Sequence, residues 1–496
     1  DKDASSALLK YADFSHYADC FNGMEDENVV QAIPNAKASE WMEENIPLFE
    51  CPQHNFEEMY YYRWWSLRKH IKETPVGYGM TEFLVQRSYS DKYNLIACAI
   101  GHHIYESRWL RDPKYLDQII HTWYRGNDGG PMKKMDKFSS WNADAVLARY
   151  MVDGDKDYLL DMKKDLETEY QRWERTNRLK NGLYWQGDVQ DGMEESISGG
   201  RRKKYARPTI NSYMYGNAKA LSCIGILSGD EGMAMKYGMR ADTLKNLVEN
   251  ELWNTRHQFF ETMRTDSSAN VREAIGYIPW YFNLPDTTQK YEIAWKEIMD
   301  EKGFSAPYGL TTAERRHPEF RTRGVGKCEW DGAIWPFASA QTLTAMANFM
   351  NNYPQTVLSD SVYFRQMELY VESQYHRGRP YIGEYLDEVT GYWLKGDQER
   401  SRYYNHSTFN DLIITGLIGL RPRLDNTIEV NPLIPADKWD WFCLDNVLYH
   451  GHNLTILWDK NGDRYHCGKG LRIFVDGKEV GQANTLTKIV CENALK

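Results

Sequence analysis

Long apolar runs are missing from this 496-residue sequence, and none approaches the about 20 residues that a membrane-spanning helix requires. Paired cysteines are missing as well, because the eight cysteines are scattered and no CxxC motif occurs. The sequence therefore predicts neither a membrane span, nor a zinc site, nor a dense disulfide framework. Cys443 and Cys467 could form one disulfide in the last part of the chain, and cysteine usage leaves the cellular compartment open.

Positively charged residues are also fewer than negatively charged ones. The chain has 60 Lys and Arg residues against 70 Asp and Glu residues, and its formal net charge of -10 disfavours a polyanionic partner such as nucleic acid. The sequence begins at Asp1 rather than at methionine and shows no signal peptide, so we expect that its amino end has been trimmed.

Aromatic residues, by contrast, are abundant. The sequence has 17 Trp and 34 Tyr at a mean hydropathy of -0.67, so many of these rings must lie near the surface or line clefts. Such rings suit carbohydrate binding because flat aromatic faces stack on sugar rings, although packing between helices uses aromatic side chains too.

Apolar residues recur at helical spacing over most of the chain. The connections between these runs carry Gly, Pro, Asp and Asn, as loops do. Many helices with few strands among them predict a mainly α fold, an α/α toroid whose inner helices form a barrel and whose long connections at one end hold the site. The predicted helical runs begin at Phe56 and continue at residues 93–105, 113–123, 140–152, 156–178, 212–227, 231–252, 287–299, 335–351, 361–375 and 409–416.

After Pro422 the pattern changes to a period of two, which predicts strands. Asp476-Gly477 is a strong signal for a β-hairpin turn. The alternating segments are residues 426–430, 454–458 and 471–475. We therefore predict an irregular and helical N-terminal segment, a helical barrel domain and a small sandwich-like β-domain, at residues 1–55, 56–422 and 423–496.

Three loops combine acidic and aromatic residues. In the first, Glu384 follows Gly383, whose missing Cβ allows backbone angles that can point a carboxylate into a cleft. The second loop, residues 181–200, is broken by glycines and carries the carboxylates Asp188, Asp191, Glu194 and Glu195. The third, residues 328–339, places an acid between two tryptophans: Trp330, Asp331 and Trp335. Each loop by itself is more often a solvated or packed turn.

The segments Asp191-Gly-Met-Glu-Glu-Ser, Trp330-Asp-Gly-Ala-Ile-Trp-Pro and Gly383-Glu-Tyr-Leu-Asp-Glu-Val-Thr-Gly follow one another along the chain. Together they resemble the acid motif, the Trp-Arg-Gly-Pro-Val-Trp motif and the base motif of the inverting (α/α)6-barrel glycosidases. That group includes trehalases, processing α-glucosidases of glycoside hydrolase family 63 and mannosylglycerate hydrolase-like enzymes. The resemblance extends over residues 80–420, with Asp331 in place of the motif's arginine and Glu194 in place of its aspartate.

The resemblance implies an (α/α)6 barrel with Glu384 as general base and Glu194 as general acid. Asp191 and Glu195 remain alternative acids. An inverting glycosidase needs one protonated carboxyl for the leaving oxygen and one ionised carboxylate for the attacking water, about 6.5–9.5 Å apart. Burial and neighbouring carboxylates favour a protonated acid near neutral pH. The candidate substrate-binding residues are Asp91, Trp185, Trp330, Asp331, Trp335, Tyr385 and His406.

We therefore expect a monomeric, exo-acting inverting α-glycosidase that hydrolyses an α-glucoside or α-mannoside and is periplasmic, secreted or attached to the cell surface. The mechanism requires no cofactor, and a structural calcium ion stays open. One alternative is a polysaccharide lyase on a similar toroid, against which the carboxylate-rich loop argues. A second is a glycan-binding protein that keeps the cleft and has lost the acid.

Overall fold

The structure is a computed structural model that describes residues 7–288 and 290–496. Residues 1–6 of the predicted N-terminal segment, and residue 289 of a predicted helical run, lie outside the described residues. The chain is mainly helical, as its apolar spacing predicts. The α-helices are α1 (Ser15–Asn22), α2 (Ala38–Asn45), α3 (His54–Lys69), α4 (Ile100–Ser107), α5 (Lys114–Arg125), α6 (Asn142–Asp153), α7 (Lys156–Asp161), α8 (Lys163–Asn177), α9 (Pro208–Leu227), α10 (Glu231–Leu247), α11 (Ile278–Tyr281), α12 (Pro336–Asn352) and α13 (Asp360–Ser373).

Helices α9 and α10 show how local sequence produces a tightly packed helix pair. Pro208 opens α9, where its fixed φ suits the first helical turn and its missing N–H costs nothing. Asp230 caps α10 by accepting a hydrogen bond of 3.0 Å from the Met233 N–H. Between them, a Cβ at Gly225 would lie 2.5 Å from the Ala234 nitrogen, so only glycine allows this close approach.

Five helices and a π-helical segment at Leu412–Leu417 contact one another in chain order: α4 with α6, α6 with α9, α9 with α11, α11 with α12, and α12 with the π-helical segment. The Glu106 carboxylate in α4 accepts the backbone N–H groups of Phe409, Asn410 and Asp411 at 3.0, 3.0 and 2.8 Å. These are N–H groups that the start of a helix leaves without a partner. The π-helical segment, the last element of this series, is thereby joined back to α4, its first element.

Two predicted helices differ in form from the prediction. The run before α4 is not yet helical at Tyr93 and Asn94, whose φ values of 66° and 63° lie in the left-handed region. Between α11 and α12 the chain forms a 3-10 helix at Glu292–Ile298 rather than an α-helix. Its buried Trp295 and Ile298 are three residues apart, so the three-residue turn places both on one face.

Strands follow the helices, as the period-two pattern predicts. The hairpin predicted at Asp476-Gly477 is confirmed, with φ values of 50° and 82° that suit a tight two-residue turn. The C-terminal strands are β12 (Ile428–Val430), β13 (Trp441–Tyr449), β14 (His452–Asp459), β15 (Gly470–Val475), β16 (Lys478–Ala483) and β17 (Ile489–Cys491). Strands β13 to β16 lie side by side in one antiparallel sheet, and β12 pairs with β17.

Short strands also occur earlier in the chain, and the first of them joins the C-terminal sheet. Strand β1 (Leu48–Glu50) pairs antiparallel with β13, with Leu48 opposite Asp445. Three residues are too few to reveal a period of two, so the sequence did not predict this strand. The others form small hairpins between helices: β2 (Ile71–Thr74) with β3 (Gly77–Met80), β4 (Trp185–Gln186) with β5 (Tyr205–Ala206), β6 (Trp253–Asn254) with β7 (Phe259–Phe260), β8 (Ser305–Ala306) with β9 (Gly309–Leu310), and β10 (Tyr375–His376) with β11 (Arg379–Pro380).

The cysteines carry no cross-link. All eight are free, and Cys443 is buried within β13, so the disulfide considered between Cys443 and Cys467 is not formed. Across residues 7–288 and 290–496, no helix combines the length and apolar character that crossing a bilayer would take.

Candidate active site

A cavity of about 420 Å³ brings together the three loops that the sequence singles out. Side chains close to the starts of α4, α6 and α12 form part of its wall, namely Cys98, Phe138 and Phe337. Helix starts carry partial positive charge, so this end of the helical domain favours negative groups. Of the predicted site residues and alternative acids, those that line the cavity are Glu194, Glu195, Trp330, Trp335, Glu384 and His406.

The Glu384 carboxylate lies between two cations. Arg400 Nη2 lies 3.1 Å from its Oε2, and Lys395 Nζ lies 4.0 Å from its Oε1. The Cys328 thiol lies 3.9 Å from Oε1. The residue is 4% exposed, so these neighbours supply most of its polar environment. Positive charge on two sides suits a carboxylate that acts in its ionised form.

The Glu194 carboxyl has the opposite character. Burial raises its pKa to about 7, and the negative charges of Glu384 and Asp188 act in the same direction. Arg201 acts against this shift. A carboxyl with this pKa holds its proton in a large share of molecules near neutral pH, as a general acid requires.

Glu82 is a third carboxyl in the cavity, and sequence reasoning did not predict it. It follows strand β3 without a periodic or motif signal. Burial raises its pKa to about 8, with further increases from the charges of Glu384 and Glu194, while the Cys98 thiol, 3.2 Å from its Oε1, lowers it. Glu82 is therefore mainly uncharged at neutral pH and can donate a hydrogen bond into the cavity.

Asp191, the alternative acid, lies outside the cavity lining in a fully buried ion pair. Its Oδ2 accepts hydrogen bonds from Arg207 Nε at 2.7 Å and from the Thr209 hydroxyl at 2.5 Å. Its Oδ1 accepts a bond of 2.5 Å from the Ser139 hydroxyl. Both oxygens are thus occupied by the protein, so Asp191 fixes the loop that carries Glu194.

We expect Asp191→Asn to destabilise the fold by about 3–5 kcal/mol, because it leaves the buried Arg207 guanidinium without its counter-charge. Chemical denaturation of the variant beside the wild type measures this loss. Glu40→Gln is the matched control, since its ion pair with Lys37 is exposed and should contribute little. A stable Asp191→Asn variant that has lost hydrolysis would instead make Asp191 the acid.

An aromatic stack forms one wall of the cavity. The Trp330 and Trp335 rings are stacked with centroids 4.5 Å apart, and Tyr385 continues the stack behind Trp335 at 4.6 Å. Among the described residues, neither Trp330 Nε1 nor His406 Nε2 has a hydrogen-bond partner, although both are buried. Both side chains line the cavity, and a buried polar group without a partner is uncommon in a folded protein.

The remaining predicted substrate residues lie beside the cavity rather than in its lining. Asp91 accepts the backbone N–H groups of residues 92 and 134, both at 2.7 Å. Asp331 accepts those of residues 323 and 324 at 2.7 and 2.9 Å, and thereby shapes the loop next to Trp330. The Tyr385 hydroxyl donates a hydrogen bond to the Lys327 carbonyl. The Trp185 ring packs against Lys204, with 4.9 Å from the Lys204 Nζ to the ring centroid.

Sequence reasoning also missed Lys395 and Arg400, the cations next to Glu384. Both residues follow the Thr390-Gly391 turn of the base motif by at most ten positions. Basic residues just after that turn were therefore the one sequence feature that could have indicated cations next to Glu384. In the described part of the chain, no group of three His, Cys, Asp or Glu side chains is arranged to hold a metal ion. The question of a structural calcium ion stays open.

Residues 92–407 match the family model of the mannosylglycerate hydrolase MGH1-like glycoside hydrolase domain. Residues 420–481 match the C-terminal domain of glycosyl hydrolase family 65. The first region includes α4 to α13 and most of the cavity lining, and the second includes β12 to β15.

Solved structures give a matching picture. One chain named sialidase is 94% identical with a TM-score of 0.99; the match covers all of the present chain, which spans 46% of the length of that protein. A GH63 mannosylglycerate hydrolase from Thermus thermophilus is 12% identical with a TM-score of 0.54, over 70% of this chain and 98% of that one. A GH78 family rhamnosidase from a Bacillus species is 11% identical with a TM-score of 0.56, over 86% and 41%. The last two show a shared fold, and the helical content fits an α-toroid domain with C-terminal strands.

Proposed function

The chain belongs to the MGH1-like glycoside hydrolase family, and from this premise we propose that it is an exo-acting inverting α-glycosidase whose substrate is an α-glucoside or α-mannoside. The observation that carries the proposal is the contrast between two carboxyl groups in one cavity. Glu194 has a pKa raised to about 7 by burial, whereas Glu384 lies between Arg400 and Lys395. An inverting glycosidase needs a protonated acid and an ionised base, so its two carboxyl groups must differ in charge.

In the proposed reaction, the Glu194 carboxyl donates its proton to the glycosidic oxygen while the bond from that oxygen to the anomeric carbon breaks. The Glu384 carboxylate takes a proton from a water molecule, whose oxygen attacks the anomeric carbon from the opposite face. The product has inverted configuration, Glu194 is left ionised and Glu384 protonated. Exchange with solvent restores both groups. Trp330, Trp335 and His406 position the sugar.

The wider architecture belongs to the same proposal. Elements α4, α6, α9, α11, α12 and Leu412–Leu417 would be the inner helices of an (α/α)6 barrel, with a β-sandwich-like domain after it. We place the domain boundaries at residues 1–55, 56–422 and 423–496. We further propose a monomer that is periplasmic, secreted or attached to the cell surface and needs no cofactor, with a structural calcium ion left open.

The proposal is tested by incubating the protein with α-glucosides, α-mannosides, α-rhamnosides and α-sialosides and recording proton NMR spectra of the first product. The sialosides are included because of the name of the 94% identical protein. We expect release of a single terminal sugar whose anomeric configuration is opposite to that of the substrate, before mutarotation. Retained configuration would overturn the mechanism. An unsaturated, ultraviolet-absorbing product would indicate a lyase, and binding without turnover a glycan-binding protein.

A further inference from the structure

Four consecutive cations end the loop that carries Glu194. Arg201, Arg202, Lys203 and Lys204 are all exposed to solvent. Arg201 also lines the cavity, and its charge acts on Glu194. The next three residues continue away from the cavity towards strand β5. This stretch therefore runs from the catalytic acid outward over the surface.

These cations are not neutralised by the protein. Within the described residues, none of the four side chains lies within 4.0 Å of a carboxylate oxygen, whereas the neighbouring Arg178 and Arg207 both form ion pairs. Lys204 instead lies over the ring of Trp185, with 4.9 Å from Nζ to the centroid. A half-buried tryptophan beside a free ammonium group offers one surface for a sugar ring and one for an anion.

Two further loops add cations to the same opening. Lys137 lines the cavity and donates to the Tyr89 carbonyl at 3.1 Å, without a carboxylate partner among the described residues. Lys327 lines it from the other loop, with its side chain 67% exposed and 3.9 Å from Glu195. We call this set the basic rim; it consists of Lys137, Arg201, Arg202, Lys203, Lys204 and Lys327.

The position of this charge is informative because the whole chain has a formal net charge of -10. Among the described residues, five of these six cations form no ion pair, the exception being Lys327. Such a cluster on an acidic protein produces a local positive field, which attracts anions to the opening next to it. The cluster extends beyond the cavity lining, since Arg202, Lys203 and Lys204 do not contribute to that lining. A compact group held inside the cavity would not contact these three residues.

We propose that the basic rim binds carboxylate or sulfate groups on the leaving-group side of an extended acidic glycan, while the terminal sugar occupies the cavity. This inference rests on the proposed glycosidase function. It names the class of substrate: a glycan chain with several anionic groups beyond the sugar that is released. Trp185 then contacts the glycan chain outside the cavity.

The test uses the full chain and three labelled hexasaccharide probes: a chondroitin sulfate, a hyaluronan, which carries carboxylates only, and a neutral cellohexaose. All three are β-linked, so an α-glycosidase does not hydrolyse them during the measurement. Fluorescence anisotropy measures their dissociation constants at low and at high ionic strength. We expect at least one acidic probe to bind more tightly than the neutral one, with an affinity that falls as salt is added. The two acidic probes distinguish sulfate from carboxylate recognition.

The rim variant Arg202→Asn/Lys203→Ser/Lys204→Ser removes three positive charges, with asparagine at residue 202 because φ there is 60°. We expect it to weaken acidic-probe binding about tenfold, near the middle of the range that three exposed charge pairs contribute. The matched control is Lys469→Ser/Lys478→Ser/Lys488→Ser, which removes the same charge from exposed sites in the C-terminal part of the chain. Equal losses in both variants, or equal binding of neutral and acidic probes, would overturn the proposal.

This binding assay requires no turnover, so the two proposals can fail separately. Tight, rim-dependent binding of an acidic probe by a protein that hydrolyses no α-glycoside would leave the rim intact and overturn the glycosidase mechanism. Hydrolysis of neutral glycosides without rim-dependent binding of an acidic probe would overturn the basic-rim proposal and leave the glycosidase mechanism intact.

Discussion

Glu384→Gln should abolish hydrolysis of every substrate, whatever its leaving group. The amide cannot accept a proton from the attacking water, and this step is common to all substrates of an inverting enzyme. We expect kcat to fall by about 10³-fold or more, with little change in substrate binding, because glutamine keeps the shape of the side chain. Steady-state kinetics on an aryl glycoside and on a natural glycoside measure both quantities.

Glu399→Gln is the matched control for Glu384. It makes the same chemical change in the same segment, at an exposed position that does not line the cavity. Its kinetics should match those of the wild type. If Glu384→Gln keeps activity within about tenfold of the wild type, the base lies elsewhere. Glu195, which also lines the cavity, would then be the next carboxyl to substitute.

Glu194→Gln should impair the hydrolysis of substrates with poor leaving groups far more than that of substrates with good ones. It removes the proton donor for the leaving oxygen, so natural glycosides should lose about 10²–10⁴-fold in kcat, whereas glycosyl fluorides and aryl glycosides with good leaving groups should lose much less. The pH profile gives a second readout. Since Glu194 must be protonated to act, wild-type activity should fall as pH rises through its pKa of about 7, and this limb should vanish in the variant.

Glu195→Gln provides the comparison for Glu194. It alters the adjacent carboxylate, which faces the same cavity and lies 3.9 Å from Lys327. We expect the variant to keep the leaving-group dependence and the pH limb of the wild type. The reverse pattern, with a selective loss in Glu195→Gln and normal hydrolysis of natural glycosides by Glu194→Gln, would assign the acid to Glu195.

The convergence of distant loops could be anticipated from the sequence, because each loop joins helices of the same domain. Glu194, Trp330 and Glu384 are far apart along the chain, yet they line one cavity. The strands after Pro422 were also visible in the sequence from a period of two, which matches alternating burial in β15, whereas β14 is buried along almost its whole length. Both predictions rest on local features of the sequence, namely residue spacing, turn residues and short motifs.

The burial and the pairing of each acidic residue could not be predicted from these local features. Asp191 and Glu194 belong to the same acidic stretch, but only the fold pairs Asp191 with Arg207 and leaves Glu194 facing the cavity. Asp331 likewise is occupied by two backbone N–H groups. Glu82 enters the cavity because a hairpin places it there. Burial and pairing depend on residues far away in sequence, so a single sequence cannot assign them.

The pairing of β1 with β13 has a consequence for folding. Asp445 in β13 also accepts the N–H of Leu9, across 436 positions of the chain, at 2.6 Å. Bringing such remote segments together costs chain entropy before any contact repays it, so closure of this sheet should be among the slow, late steps. Until Leu48–Glu50 docks, the edge of β13 is an open template for strands of other molecules. During synthesis and refolding, this edge is therefore where we expect aggregation to begin.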